Sequence, residues 1–119
     1  QYSMLAENMV GFLLEKYISI TLESHGWIWC AGDFVKAIDF IKKNNDGTWK
    51  AVQVKNRNTT ENSSSSAIRN GTDIKKWFRT YSKAARNRKN TNWDAFPEEE
   101  FLGLLSENAF FDFIRGYLK

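Results

Sequence analysis

Three polar residues sit where the pattern calls for strands: Asp39 in IDFIKK, and Gln53 and Lys55 in WKAVQVK. Polar groups on strands that face a packed core are costly unless they have a partner or a task. Asp39 offers a hard oxygen ligand for a divalent cation, and Gln53 offers a neutral amide oxygen to the same ion. The Val54 carbonyl points close by, and Lys55 brings an ammonium that can orient or help deprotonate an attacking water. A carboxylate on one strand and an amide two residues before a lysine on the next form the layout of a metal-dependent nuclease. The bound cation would polarise the phosphate and lower the pKa of the water.

That layout needs a defined hairpin. Asn45-Asp46-Gly47 reads as a three-residue loop with Gly47 in the left-handed region. Asn44 then faces Thr48, Asp39 falls across from Gln53, and Lys55 shares the face of Gln53. Upstream, residues 4–24 read as a helix with Val10, Leu14, Tyr17 and Thr21 in one row beside Leu13 and Ile20, closed by His25-Gly26. This helix offers two further acids, Glu7 as a metal ligand in the row of Val10, and Glu15 in the row of Gly11 and Ile18. Residues 26–41 look strand-like, broken near Gly32. Downstream, 58–72 is polar and Ser-rich. From Thr72 a helix is expected, burying Ile74, Trp77, Phe78, Tyr81 and Ala85 and carrying Lys76, Arg79, Lys83 and Arg86 on a second row. Residues 91–100 read as a connector and 101–119 as one or two helical segments.

Composition narrows the class. A chain of 119 residues suits one domain, 1–119, and 42% hydrophobic with 15% aromatic residues is a globular composition. No apolar run approaches the roughly 20 residues that span a bilayer. Cys30 is the only cysteine, which leaves no internal disulfide and no multi-cysteine zinc site, and the single His25 gives histidine-based catalysis no footing. A cytoplasmic, bacterial setting is expected. The chain opens on Gln1, so it reads as a processed chain or an excised piece. Net charge is +3, but residues 69–89 hold eight basic residues against Asp73, a local +7 that leaves −4 elsewhere. Such asymmetry suits a polyanionic partner on one side.

The order of helix, Asp strand, Gln-x-Lys strand and helix resembles the PD-(D/E)XK nuclease superfamily. More narrowly, AIDFIKK, AVQVKNR, TENSSSSAIRNGTDIKKWFR and TNWDAFP are similar to the SinI/AvaII-type type II restriction endonucleases. The resemblance implies an α/β fold, a small mixed β-sheet flanked by helices. It also implies Mg²⁺-dependent cleavage of double-stranded DNA, with Mn²⁺ as a substitute, usually by a homodimer at a short G/C-flanked site with a central A or T. Under it, Asn56, Arg57, Asn62, Ser63, Ser64, Ser65, Ser66 and Arg69 become DNA contacts beside the basic row. Gln53 departs from the Asp or Glu of most superfamily members and removes one negative charge from the metal site. Two other readings share these features: a toxin or effector nuclease acting on DNA or RNA, with an immunity-type inhibitor, and a non-enzymatic nucleic-acid-binding module. Chelator-sensitive cleavage separates the enzymes from the module, and substrate choice separates the two enzymes.

Overall fold

Leu, Met, Ala, Glu and Lys take eleven of the twenty positions 4–23, a composition with good helix propensity. In the computed structural model, which describes residues 4–30, 38–58 and 72–119, they form helix α1, Met4–Glu23. Its C-terminus closes as the His25-Gly26 signal suggests. Gly26 takes φ 90°, its N–H donates to Glu23 O at 3.2 Å, and Trp27 N–H reaches back to Leu22 O at 3.1 Å. These are the two bonds of a Schellman cap, and buried Leu22 and Trp27 flank it. The buried stripe is Leu14, Ile18 and Leu22, with Leu13 and Tyr17 beside it. Ile20, expected inside, is exposed.

The chain then builds one four-stranded mixed sheet in the order β1-β2-β3-β4. β1 (Ile28–Trp29) pairs antiparallel with β2 (Phe40–Lys43), and β2 with β3 (Trp49–Arg57). The β2–β3 register runs from Lys43↔Trp49 to Phe40↔Val52, as the three-residue loop requires. Gly47 sits at φ 91°, Asn44 N–H donates to Thr48 O at 2.7 Å, and the Asp46 carboxylate accepts from Thr48 N–H at 3.0 Å. The break expected at Gly32 lies outside the described residues.

The helix expected from Thr72 is not formed. Thr72–Thr80 is strand β4, parallel to β3 from Trp49↔Thr72 to Arg57↔Thr80. Ile74, Trp77, Phe78 and Tyr81 fit a helical period, but the same segment alternates as a strand, with Trp77 buried and Lys76 exposed. Eight of its nine residues pair with β3, and that long-range partner outweighs a local periodicity. A parallel neighbour requires a crossover of roughly a dozen residues or more, and residues 58–71 separate the two strands.

Phe40, Val52, Val54 and Trp77 share the core face of the sheet and meet the α1 stripe. The C-terminal segment completes that layer. It contributes Trp93, Phe96, Phe101 and Leu105 from two short 3-10 turns and their flanks, and Phe110 from helix α2 (Glu107–Tyr117). Ser106 caps α2, its hydroxyl accepting from Ala109 N–H at 3.1 Å while its own N–H donates to Tyr17 Oη at 3.0 Å.

Candidate active site

The regular ladder ends at Phe40, and this defines the site. Asp39 N–H also donates to Val52 O, at 2.9 Å, so Asp39 and Phe40 both oppose Val52 in a bulge-like step. Counting back from the hairpin would set Asp39 squarely against Gln53. Instead its carboxylate turns inward, and Oδ2 accepts the Val54 N–H at 2.7 Å. That donor would otherwise have gone to a backbone carbonyl of the partner strand. Bulges re-aim side chains in this way at the margins of active sites.

The turned carboxylate meets α1. Glu15, on the helix, shares a hydrogen bond with Asp39, and its Oε1 accepts the Trp29 indole N–H at 3.0 Å. Burial first, and then the charge of Asp39, raise the Glu15 pKa to about 7. Asp39 is also raised by burial, opposed by the Val54 N–H, the Glu15 bond and the nearby Lys55 ammonium. Two carboxyls in contact with one proton between them are the expected outcome. Burial, then the same two acids, push the Cys30 thiol up as well, which leaves Cys30 a poor nucleophile.

Gln53 is buried, in the strand between Asp39's partner Val52 and the N–H donor Val54. Lys55 follows two residues on, half-buried, and its charge is felt at Asp39. The structure therefore brings together Asp39, Glu15 and Lys55, with Gln53 on the same strand segment. Glu7 is not brought in: it lies two helical turns before Glu15, roughly 12 Å along the axis. No group of three or more His, Cys, Asp or Glu side chains suited to a metal occurs among the described residues. Two acids plus amide and backbone oxygens nonetheless make an all-oxygen donor set, the kind that fits a hard divalent cation.

The basic row is not a row. Arg79 turns into the protein, its Nε donating to Asn56 Oδ1 at 2.7 Å and its Nη1 to Glu107 Oε2 at 2.6 Å. Its guanidinium also lies 5.0 Å from the Phe110 ring centre. Asn56 is thereby tied into the scaffold, with Thr80 Oγ1 donating to its carbonyl at 2.9 Å. Lys76 is exposed on the sheet face opposite Trp77, while Lys83 and Arg86 are exposed in the loop after β4. Arg57 is exposed at the end of β3. Asn62, Ser63, Ser64, Ser65, Ser66 and Arg69 lie outside the described residues. Sequence reading missed Trp29 and Glu107, whose partners are distant in the chain and leave no local signature.

The SinI restriction endonuclease family matches residues 1–119. The chain belongs to that family. It is 56% identical over 119 residues to the type II restriction enzyme Eco47I of Escherichia coli, covering 98% of this chain and 49% of the relative. To the type II restriction enzyme SinI of Salmonella infantis it is 52% identical over 118 residues, covering 98% of this chain and 50% of the relative. The chain thus spans about half the length of the curated relatives it matches. Asp39, Glu15, Gln53 and Lys55 all lie inside the segment matched to the family.

Proposed function

We propose that this protein is a Mg²⁺-dependent endonuclease that hydrolyses phosphodiester bonds of double-stranded DNA, in the manner of a type II restriction enzyme. The observation that carries the reading is the pairing of half-buried Glu15 and Asp39 against the Val54 N–H, with the Lys55 charge beside them. Asp39, Glu15, the Gln53 amide oxygen and the Val54 carbonyl would hold the cation. When bound, it would supply a polarised phosphate and a water of lowered pKa. The chain's own residues do the rest. The Val54 N–H fixes the Asp39 carboxylate, and the Trp29 indole fixes that of Glu15. Lys55 faces the scissile phosphate, orients the attacking water and offsets the negative charge that grows on the phosphorane oxygens.

Plasmid DNA with Mg²⁺ tests this directly. Cleavage should appear with the metal and vanish with chelator. Lys55→Ala should lose cleavage while binding duplex DNA within a few-fold of the parent, because the lysine acts on the transition state more than the ground state. Full activity in a purified Lys55→Ala protein would sink the assignment.

A further inference from the structure

Between Ser82 and Asn90 the chain carries four basic residues, Lys83, Arg86, Arg88 and Lys89, and no acid. All four are exposed. Crowded like charges repel and favour a splayed loop, yet this loop is tied at its base. Thr80 bridges Thr91, Tyr81 N–H donates to Asn90 O at 3.1 Å, and Asn92 N–H donates to Arg79 O at 2.8 Å. Asn92 is the knot. Its carbonyl accepts the Trp77 indole N–H at 2.9 Å, its Nδ2 donates to Phe78 O at 3.1 Å, and its Oδ1 accepts the Tyr81 hydroxyl at 3.0 Å.

Within the loop, the Arg88 guanidinium covers the Tyr81 ring at 3.6 Å from its centre and donates to Lys83 O at 2.7 Å. Lys89 pairs with exposed Asp94 at 3.2 Å. Lys83 and Arg86 have no ion pair among the described residues. The scaffold therefore holds together cations that no ion pair among the described residues neutralises.

Their position connects them to the site. The loop stands at the C-terminal ends of β3 and β4, over an open cleft lined by Arg57, Tyr81, Ser82 and Asn90. Strand alternation puts Gln53, Lys55 and Arg57 on one face, each about 7 Å from the next, so the row runs from Lys55, whose charge is felt at Asp39, to Arg57 in this cleft. Phosphates follow one another about every 3.4 Å of helix axis on one DNA strand. Arg57 is thus spaced for a phosphate close after the one at Lys55, and the loop for those beyond.

We propose that Arg57 and the 82–90 loop grip the phosphate backbone of the duplex flanking the scissile bond, without regard to sequence. The proposal rests on the DNA-endonuclease reading, and its test can fail apart from it. Binding of the intact protein to long duplexes of unrelated sequence is measured by fluorescence anisotropy against salt, without divalent cations. Lys83→Ala/Arg86→Ala removes two exposed side chains that make no ion pair among the described residues. It should make the log affinity–log salt slope shallower by about 2 and weaken all duplexes alike. Arg115→Ala/Lys119→Ala removes two exposed charges on and after α2 and should leave the slope unchanged. An unchanged slope in the first variant overturns the proposal, as does an equal change in both, since net charge alone would then explain it. A parent that binds in this way but does not cleave with Mg²⁺ refutes the nuclease reading and leaves the grip standing. A parent that binds no duplex refutes both.

Discussion

Two polar clusters flank β3, and they are built on opposite principles. At Arg79, a guanidinium meets the Glu107 carboxylate and the Asn56 amide, and Glu107 Oε1 accepts the Trp93 indole N–H at 2.9 Å. Every charge has an opposite partner. At Asp39, two carboxyls are pressed together, opposed by one nearby ammonium, and both are raised by burial. The first cluster ties β3 and β4 to α2. The second is an arrangement the fold holds against its own electrostatics, as expected where chemistry rather than stability sets the residue types.

The sharpest way to break the comparison is a pair of single changes. Asp39→Asn keeps an oxygen for the Val54 N–H but removes the charge and the repulsion with Glu15. Cleavage should fall on the order of 10³-fold, with Mg²⁺ affinity lost by calorimetry, while the melting temperature stays level or rises. Arg79→Ala should do the reverse. It leaves Glu107 partly buried without its cation, so unfolding should be easier by about 3 kcal/mol in a denaturant titration. Below its lowered melting temperature it should retain most of its activity. If Arg79→Ala proves inactive but stably folded, the division between the clusters is wrong.

A smaller effect follows from pH. For Glu15 the folded pKa, about 7, lies above the unfolded value of 4.5, so the folded state binds more protons between them. Stability of the metal-free protein should therefore be fullest below about pH 4.5 as far as this group is concerned, and decline as pH rises towards about 7. Asp39, shifted the same way, adds to the decline. Saturating Mg²⁺ should flatten it, and thermal melts across that range with and without the ion give the answer. Smallest of all, Gln53→Glu should keep activity, with an altered preference between Mg²⁺ and Mn²⁺. A folded but inactive Gln53→Glu protein would show that the amide contacts substrate and not metal.

Much of this was legible in the residues. Asn45-Asp46-Gly47 set the hairpin and its register because turn chemistry is local, and His25-Gly26 marked the end of α1 for the same reason. Asp39 and Lys55 stood out because they are polar where a strand should be apolar. What could not be read was non-local. Ile74, Trp77 and Tyr81 recur at a helical period, and only the long-range pairing with β3 overrides it. The choice of Glu15 over Glu7 depends on where α1 crosses the bulge at Asp39, which no spacing along the helix reveals. Arg79 looked like its exposed neighbours, since its partners Asn56 and Glu107 are 23 and 28 residues away.

The parallel pairing of β4 also sets an order in time. The β2–β3 hairpin closes over three residues, and such hairpins form in about 1–10 μs. It can bring the strands bearing Gln53 and Lys55 beside Asp39 before anything else is in place. β4 must wait for the closure of residues 58–71, a slower event of higher contact order. In the interval the nine residues of β3, Trp49, Ala51, Val52 and Val54 among them, present a bare edge to any chain that meets it. Refolding yield should therefore fall with protein concentration far more steeply than the stability of the finished fold would suggest.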